Sequence, residues 1–229
     1  MRKVLVVFVA LTAIAGAALF AYHPAGAQGG GTIEASVTYA GAPVVEKLKV
    51  NKDTQQCGTE AVIEKVLVGA NKGLANAVVA VTGAKGAAKV VKAEIDQHGC
   101  KFVPHVVAMP PGAIDIKNSD GILHNIHTYS TANSSINKAQ PKFKKEMVEK
   151  FEKPELIRVQ CDAHSWMLGW IYVTENPTAV TDGNGAFKLE NVPPGKHKVE
   201  VVHPVLGKQT KEVEVKAGQD TKVAFELKK

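Results

Sequence analysis

Apolar and polar residues alternate in short stretches along most of this chain, between turns rich in glycine and proline. An alternation with a period of two residues is typical of β-strands that bury one face. Together with short apolar runs, this pattern predicts strands at residues 32–39, 75–82, 113–117, 122–129, 156–160, 199–202 and 213–215. Helical periodicity is nearly absent, so we predict an all-β protein.

The composition favours two small β-sandwiches over one large core, because seven Phe, two Trp and four Tyr are spread over 229 residues. The composition changes at Glu175-Asn176-Pro177, which predicts a domain boundary. Residues 131–152 are polar and rich in lysine without a clear period. We therefore predict a loop there, with one helical turn near residues 145–151.

Residues 1–27 have the pattern of an export signal. Arg2 and Lys3 precede a long apolar run, which is followed by the small residues Ala25-Gly26-Ala27. The run at residues 4–22 approaches the ~20 residues that a membrane-spanning helix needs, so an uncleaved N-terminal anchor is the alternative. We favour cleavage after Ala27, which predicts a periplasmic or otherwise extracytoplasmic protein.

The charge pattern does not indicate nucleic-acid binding. The formal net charge of +6 falls to +4 when Arg2 and Lys3 leave with the signal, and the lysines between 138 and 153 are largely offset by glutamates. The sequence shows no Ser-His-Asp order, no glycine-rich phosphate loop and no second metal cluster. We therefore expect a binding or electron-transfer protein and not an enzyme.

The chain has three cysteines, Cys57, Cys100 and Cys161. Thiols outside the cytoplasm tend to pair, and an odd number leaves one over. We predict a disulfide between Cys57 and Cys100, because Cys161 lies among other metal-binding side chains. The alternative is that all three are buried thiols.

The densest group of metal-binding side chains is Cys161-Asp162-Ala163-His164-Ser165-Trp166-Met167. A thiolate, an imidazole and a thioether suit copper, because soft sulfur stabilises Cu(I) and imidazole nitrogen accommodates Cu(II). A second imidazole has to come from elsewhere in the chain. His124 and His127, in the extended segment at 122–129, are the candidates.

These segments resemble the plastocyanins and other blue copper proteins of the cupredoxin family. The resemblance rests on Cys161-x-x-His164 with a following methionine, and on Phe102-Val103-Pro104, Pro111-Gly112, Ile116-Lys117-Asn118 and His124-Asn125-Ile126. It implies a cupredoxin-like Greek-key β-barrel over residues 87–174. It also implies His124, Cys161 and His164 as copper ligands, Asn125 as the residue that ties the ligand loops together, and electron exit through the His164 ring.

Three further side chains are weaker candidates for the metal site. Met167 would be the axial ligand, but it lies two residues closer to the histidine than in plastocyanins. His127 lies three positions after His124, so on a regular strand it faces the other way unless a bulge turns it inward. His105 follows Pro104, where plastocyanins have no ligand, and would join only a site richer in histidine.

The flanking segments resemble the carboxypeptidase regulatory-like β-sandwich. The resemblance rests on Thr181-Asp182-Gly183-Asn184-Gly185-Ala186-Phe187 and Val192-Pro193-Pro194-Gly195, and on two strand patterns near residues 31–37 and 77–81. It implies one split sandwich, made of residues 31–86 and 175–229, with the barrel at 87–174 inserted between its halves. A serial arrangement of domains is the alternative.

The sequence therefore predicts an exported protein that binds one copper ion and transfers single electrons between redox partners. A periplasmic copper storage or delivery protein is the first alternative, motivated by the short ligand loop and the additional histidines. A structural or interaction module that binds zinc or no metal is the second, motivated by the regulatory-like flank.

Overall fold

The computed structural model describes residues 29–84 and 92–228. The signal predicted at 1–27 and the domain boundary predicted at 86/87 lie outside these ranges. The described residues form eighteen β-strands, one short α-helix and one 3₁₀ turn. The predicted all-β class is therefore confirmed. Within the described ranges, no helix is long and apolar enough to cross a membrane.

The described residues before position 141 form ten strands, one helical turn and one 3₁₀ turn. They are β1 (Gly31–Tyr39), β2 (Val44–Lys49), α1 (Thr54–Cys57), β3 (Glu60–Val66), the 3₁₀ turn Ala70–Lys72, β4 (Val78–Thr82), β5 (Glu94–His98), β6 (Lys101–Val103), β7 (Val106–Met109), β8 (Gly112–Asn118), β9 (His124–Tyr129) and β10 (Asn137–Gln140).

The described residues after position 140 form eight strands. They are β11 (Glu146–Phe151), β12 (Glu155–Gln160), β13 (Leu168–Val173), β14 (Thr178–Val180), β15 (Ala186–Val192), β16 (Gly195–His203), β17 (Gly207–Val215) and β18 (Asp220–Leu227).

One β-sandwich is built from both ends of the described chain. Its sheets have the strand orders β15-β1-β18 and β14-β4-β16-β17. β1 runs parallel to β18, with Val37 opposite Phe225, and antiparallel to β15. Strands that precede and follow the barrel thus share one apolar core, which contains Ile33, Val79 and Phe225. The domain limits at 86/87 and 174/175 stay a prediction.

The second unit is a cupredoxin-like Greek-key barrel of two sheets, as the resemblance implies. The sheets have the strand orders β10-β9-β12-β13-β7 and β11-β8-β5-β6. Most pairs are antiparallel, but β5 pairs with β8, and β7 with β13, in parallel. The alternating apolar residues of each strand point between the sheets, and the core there includes Ile116, Ile126, Ile157 and Ile171.

The hairpin β2–β3 lies inside the segment predicted to be sandwich, but its tip belongs to the barrel. Val50 is buried in the barrel core, and Leu48 and Ile63 pack against that core. A disulfide joins Cys57, at the tip, to Cys100, next to β6. Among the described cysteines, Cys161 is free and buried.

The helical turn predicted near residues 145–151 is wrong, because this segment forms β11. β11 pairs antiparallel with β8 from Glu146 opposite Lys117 to Phe151 opposite Gly112. The buried residues Met147 and Phe151 lie on the same face of the strand, at positions that an alternation of period two predicts. The many lysines and glutamates of this region obscured that alternation.

Candidate metal centre

Two segments at one end of the barrel bring the candidate ligands together. β9 begins at His124, and β12 ends at Gln160, directly before Cys161. β9 and β12 run antiparallel, so the start of one strand lies beside the end of the other. After Cys161 the chain turns tightly. The N–H of His164 donates to the carbonyl oxygen of Cys161 at 3.3 Å, and that of Met167 donates to the carbonyl oxygen of His164 at 2.9 Å.

Three donor atoms from these segments face one another inside the barrel. His124 Nδ1 lies 2.9 Å from His164 Nδ1. Cys161 Sγ lies 3.9 Å from the first nitrogen and 3.7 Å from the second. Donors about 2.1 Å from a shared ion, in one plane with it, lie about 3.6 Å apart. Both histidines are 0% exposed and Cys161 is 1% exposed, so the point between the donors is shielded from solvent.

Each imidazole is held from behind by a carboxylate. His124 Nε2 lies 2.9 Å from Oδ2 of Asp120, and His164 Nε2 lies 2.9 Å from Oδ2 of Asp53. A carboxylate accepts the hydrogen bond, which assigns the proton to each Nε2 and leaves a bare lone pair on each Nδ1. Two lone pairs that face each other at 2.9 Å repel unless a proton or a metal ion lies between them. The donor set therefore fits a metal ion, and two imidazoles with one thiolate suit copper.

Burial shifts the pKa values of the same groups. It raises the pKa of the Cys161 thiol and lowers the pKa of the His124 imidazole, because the charged forms lose their hydration. Burial alone would also raise the pKa of Asp120. Hydrogen bonds from the Cys100 N–H, the His124 ring and the Gly99 N–H outweigh burial and hold the pKa of Asp120 below its ordinary value. An ionised carboxylate thus stands behind a neutral imidazole, the form that binds a metal.

Asp120 also connects His124 to the disulfide. Its Oδ2 accepts the N–H of Cys100 at 2.8 Å, and its Oδ1 accepts the side-chain amide of Gln56 at 3.1 Å. Gln56 is the neighbour of Cys57, which is bonded to Cys100. The carboxylate that orients one candidate ligand is therefore itself oriented by both sides of the disulfide.

Asn125 ties the two ligand segments together. Its backbone N–H donates to Cys161 Sγ at 3.4 Å. Its side-chain oxygen accepts the N–H of Asp162 at 2.6 Å and that of Ala163 at 3.2 Å. Its side-chain nitrogen donates to Oδ1 of Asn137 at 2.7 Å. These contacts fix the Cys161 loop against β9, which is the role that the resemblance implies for Asn125.

Met167 lies at the end of the ligand loop and is 1% exposed. Its side chain belongs to the apolar core of the barrel, together with Trp166. The same core contains Cys161. Its role as an axial ligand stays a prediction.

The structure places His127 and His105 outside the group of donors. The His127 ring faces the surface, where its Nδ1 lies 3.0 Å from Oδ1 of Asp162 and the ring stacks on Tyr129. β9 has no bulge that would turn this ring inward, since its pairing with β10 is regular through these positions. His105 lies near Trp170 and His203, in a small cleft between the barrel and the sandwich.

Sequence reasoning did not find Asp53 or Asp120. Asp120 lies four residues before His124, in a segment whose sequence predicts only a turn. This short spacing is the one feature of the sequence that could have pointed to Asp120. Asp53 lies 111 positions from His164, and nothing in the sequence marks it. Its carboxylate covers a ring that is 0% exposed. The electron exit through the His164 ring, which the resemblance implies, stays a prediction, and in this structure such a path would pass the Asp53 carboxylate.

Comparison with known proteins gives one family match. Residues 171–228 match the family model of the carboxypeptidase regulatory-like domain. This range begins within β13 and contains β14 to β18, which are the five C-terminal strands of the sandwich. No curated protein matches the chain.

Solved structures share parts of the fold at low overall similarity. A Cu-containing nitrite reductase from Thermus scotoductus SA-01 is 19% identical with a TM-score of 0.35, and the match covers 38% of this chain but only 23% of that chain. A purple cupredoxin from Nitrosopumilus maritimus is 20% identical with a TM-score of 0.32, covering 36% of this chain and 100% of that chain. A mutant plastocyanin of a fern is 18% identical with a TM-score of 0.32, at the same coverage of 36% and 100%.

Proposed function

We propose that this protein binds one copper ion through His124 Nδ1, Cys161 Sγ and His164 Nδ1 and carries single electrons between partner proteins outside the cytoplasm. The observation that carries the proposal is the pair of imidazole Nδ1 atoms 2.9 Å apart beside a buried thiol. Each imidazole has its other nitrogen bound to a carboxylate. Bound copper would supply a Cu(I)/Cu(II) couple at this point.

The residues around the donors keep the site rigid and dry. Asp53 and Asp120 fix the orientation of the two rings, and Asn125 fixes the loop that carries the thiol. The buried residues Ile126 and Met167, at 0% and 1% exposure, belong to the same apolar core as Cys161. Ligands that are held in place move little when the charge of the ion changes, and this favours fast one-electron exchange.

The test is a spectroscopic and electrochemical study of the protein without residues 1–27, loaded with one equivalent of Cu(II). We expect an intense visible absorption from the thiolate-to-copper transition and a reversible one-electron couple. Cys161→Ser removes the thiolate and should abolish the intense absorption. His127→Gln is the matched control, because its ring lies on the same strand but faces the surface, and it should leave the spectrum unchanged.

Two other experimental results would contradict this proposal and support a different function. A protein that takes up zinc stoichiometrically and gives no thiolate-to-copper absorption would be a structural zinc module. A protein that binds Cu(I) tightly, shows no reversible couple and passes the ion to an apo-acceptor would be a storage or delivery protein. Metal analysis and transfer to a chelating acceptor separate these two outcomes.

We also propose that residues 1–27 direct export, so that copper is acquired outside the cytoplasm and the partners are redox proteins, not nucleic acids. The paired Cys57 and Cys100 support this location, because disulfides persist in oxidising compartments. The absence of Ser-His-Asp and phosphate-loop motifs from the sequence supports a carrier over an enzyme. Determination of the N-terminal residue of the exported protein would show whether cleavage follows Ala27 or the segment remains as an anchor.

A further inference from the structure

The tip of the β2–β3 hairpin lies over the candidate metal centre. It consists of residues 50–59 and contains the single turn of helix α1, and the N–H of Val50 closes it by donating to the carbonyl oxygen of Thr59 at 3.0 Å. From this tip the Asp53 carboxylate reaches His164 Nε2 at 2.9 Å. The tip therefore supplies one polar contact to the metal centre from outside the two ligand segments.

The Asp53 side chain makes its hydrogen bond to the metal centre and not to its own helical turn. Asp53 has φ 52° and ψ 35°, in the left-handed region, although it is not a glycine. It occupies the N-cap position of α1, but its side chain makes no capping hydrogen bond. A residue in this conformation that also leaves its cap unmade gains no local stabilisation from its side chain. The Asp53 carboxylate is hydrogen-bonded to His164 instead.

Three attachments fasten the tip to the barrel. Val50 is 3% exposed within the barrel core. Cys57 is bonded to Cys100. Gln56 donates to Asp120 Oδ1 at 3.1 Å. Asp120 in turn orients the second candidate ligand, so the tip contacts one ligand histidine directly and the other through this carboxylate.

We propose that residues 50–59 form a disulfide-locked cap over the metal centre. Asp53 is the positioning residue of the cap for His164, and the Cys57–Cys100 bond sets how readily Cys161 and the ion exchange with solvent. Opening the lock requires a dithiol reductant. The dithiol is oxidised to its disulfide, while Cys57 and Cys100 take up two electrons and two protons. The copper part of this inference rests on the proposed function, whereas the covering of Cys161 does not.

The first experiment uses metal-free protein and measures the rate at which iodoacetamide modifies Cys161. The double variant Cys57→Ser/Cys100→Ser removes the lock without leaving stray thiols, and we expect modification to accelerate on the order of tenfold. Asp53→Ala, which keeps the disulfide, should accelerate it less. Gln55→Ala is the matched control, since Gln55 is exposed on the same helical turn, and it should react at the wild-type rate.

The second experiment uses copper-loaded protein and measures the transfer of Cu(I) to a bathocuproine chelator. Loss of an outer hydrogen-bond partner of a ligand typically changes metal affinity about 10- to 100-fold, so Asp53→Ala should release copper at least tenfold faster. Asp53→Asn keeps an acceptor oxygen and should restore part of the retention. The reduction potential of each Asp53 variant should differ from that of the wild type. A purely structural effect would lower the thermal stability and leave the reduction potential unchanged.

The outcomes separate the cap from the proposed function. If the wild-type protein binds no copper but the variants expose Cys161, the proposed function fails and the cap stands. If copper binds and both Asp53 variants exchange it at the wild-type rate, the cap is overturned. Should the double-serine variant not fold, Asp53→Ala and Gln56→Ala, which both retain the disulfide, decide the question by the same two rates.

Discussion

The barrel and the sandwich have cores of different chemistry. The sandwich core is almost entirely apolar, with Thr181 and His203 as its buried polar residues in the described ranges. The barrel instead buries a group of polar side chains around one end, namely Gln97, Asn118, Asp120, His124, Asn125, Thr128, Gln140 and His164. Buried polar groups are costly unless they are paired, and a cluster of them is expected where function requires it. The contrast agrees with the proposal of a metal centre in the barrel.

Several of these polar residues are joined by hydrogen bonds around the turn that precedes β9. Asn118 donates to the carbonyl oxygens of Ile122 and Gln140, and this fixes the turn that leads to His124. Gln140 accepts from the side chain of Gln97 at 2.6 Å. These hydrogen bonds link β5 and β8 of one sheet to β10 of the other, next to the segment that begins at His124.

The largest predicted effect lies in the sandwich core. Phe225 is 1% exposed, and Phe225→Ala should reduce the free energy of unfolding by about 3 to 5 kcal/mol. Denaturation followed by far-ultraviolet circular dichroism measures this loss. The copper spectrum of the folded variant should remain unchanged, because no sandwich residue is a candidate ligand. A changed copper spectrum would show that the two cores are not independent.

The corresponding change in the barrel should affect both stability and metal binding. Asp120→Ala leaves the His124 ring, the Cys100 N–H and the Gln56 amide without their shared acceptor. Removal of a buried charged partner costs about 3 kcal/mol. Both tryptophans, Trp166 and Trp170, lie in the barrel, so fluorescence-detected denaturation reports this unit. Asp120→Asn should lose less, because it keeps an acceptor oxygen.

The residues that sequence reasoning identified are those whose spacing along the chain carries information. Alternating strands predicted the all-β class, and Cys161-x-x-His164 with His124-Asn125 named the three donors that the structure brings together. β11 was missed because its exposed charged residues hide the two buried ones, Met147 and Phe151.

Long-range contacts could not be predicted in this way. Asp53 acts on a ligand 111 positions away through a single hydrogen bond, which leaves no local pattern. The hairpin tip around it contains a polar stretch that also suits a surface loop. Only the path of the chain places this tip over the barrel end, so the carboxylates behind the ligands emerge from the structure alone.

The junction between the two units should respond to acid. Burial, together with the nearby His105, lowers the pKa of His203 to about 4, from an ordinary value of 6.5. Below pH 6.5 the unfolded chain binds a proton that the folded chain does not, so stability falls from pH 6.5 down to about pH 4. His203 is 3% exposed, and the loss should reach about 2 kcal/mol.

Denaturation at pH 7 and pH 4.5 measures this loss. His203→Asn removes the titrating group and keeps a polar acceptor for the N–H of Val205, which His203 accepts at 3.2 Å. The variant should lose less stability between the two pH values than the wild type. His105, whose pKa burial also lowers, will leave a smaller acid sensitivity of the same sign. Equal losses in both proteins would contradict the assignment to His203.

The smallest predicted effect lies in the barrel outside the metal network. The pKa of Glu155 is lowered to about 2, because hydrogen bonds from Ser130, the Thr131 N–H, Asn133 and the Ala132 N–H outweigh a burial that would raise it. A depressed pKa stabilises the fold above the unfolded value of 4.5, and this stability disappears as the pH falls towards 2.

Because Glu155 is partly in contact with water, solvent screening reduces the effect, and Glu155→Gln should cost about 1 kcal/mol at pH 7. The cost should shrink towards zero in denaturation experiments near pH 2.5, where the wild-type carboxylate also begins to protonate. The variant should keep the wild-type copper spectrum, because its partners are the loop residues 130–133 and not the ligand segments. A copper spectrum altered by Glu155→Gln would mean that the polar network around the metal extends through the whole barrel. The difference between the two cores would then be a property of the entire barrel and not only of the end that holds the candidate ligands.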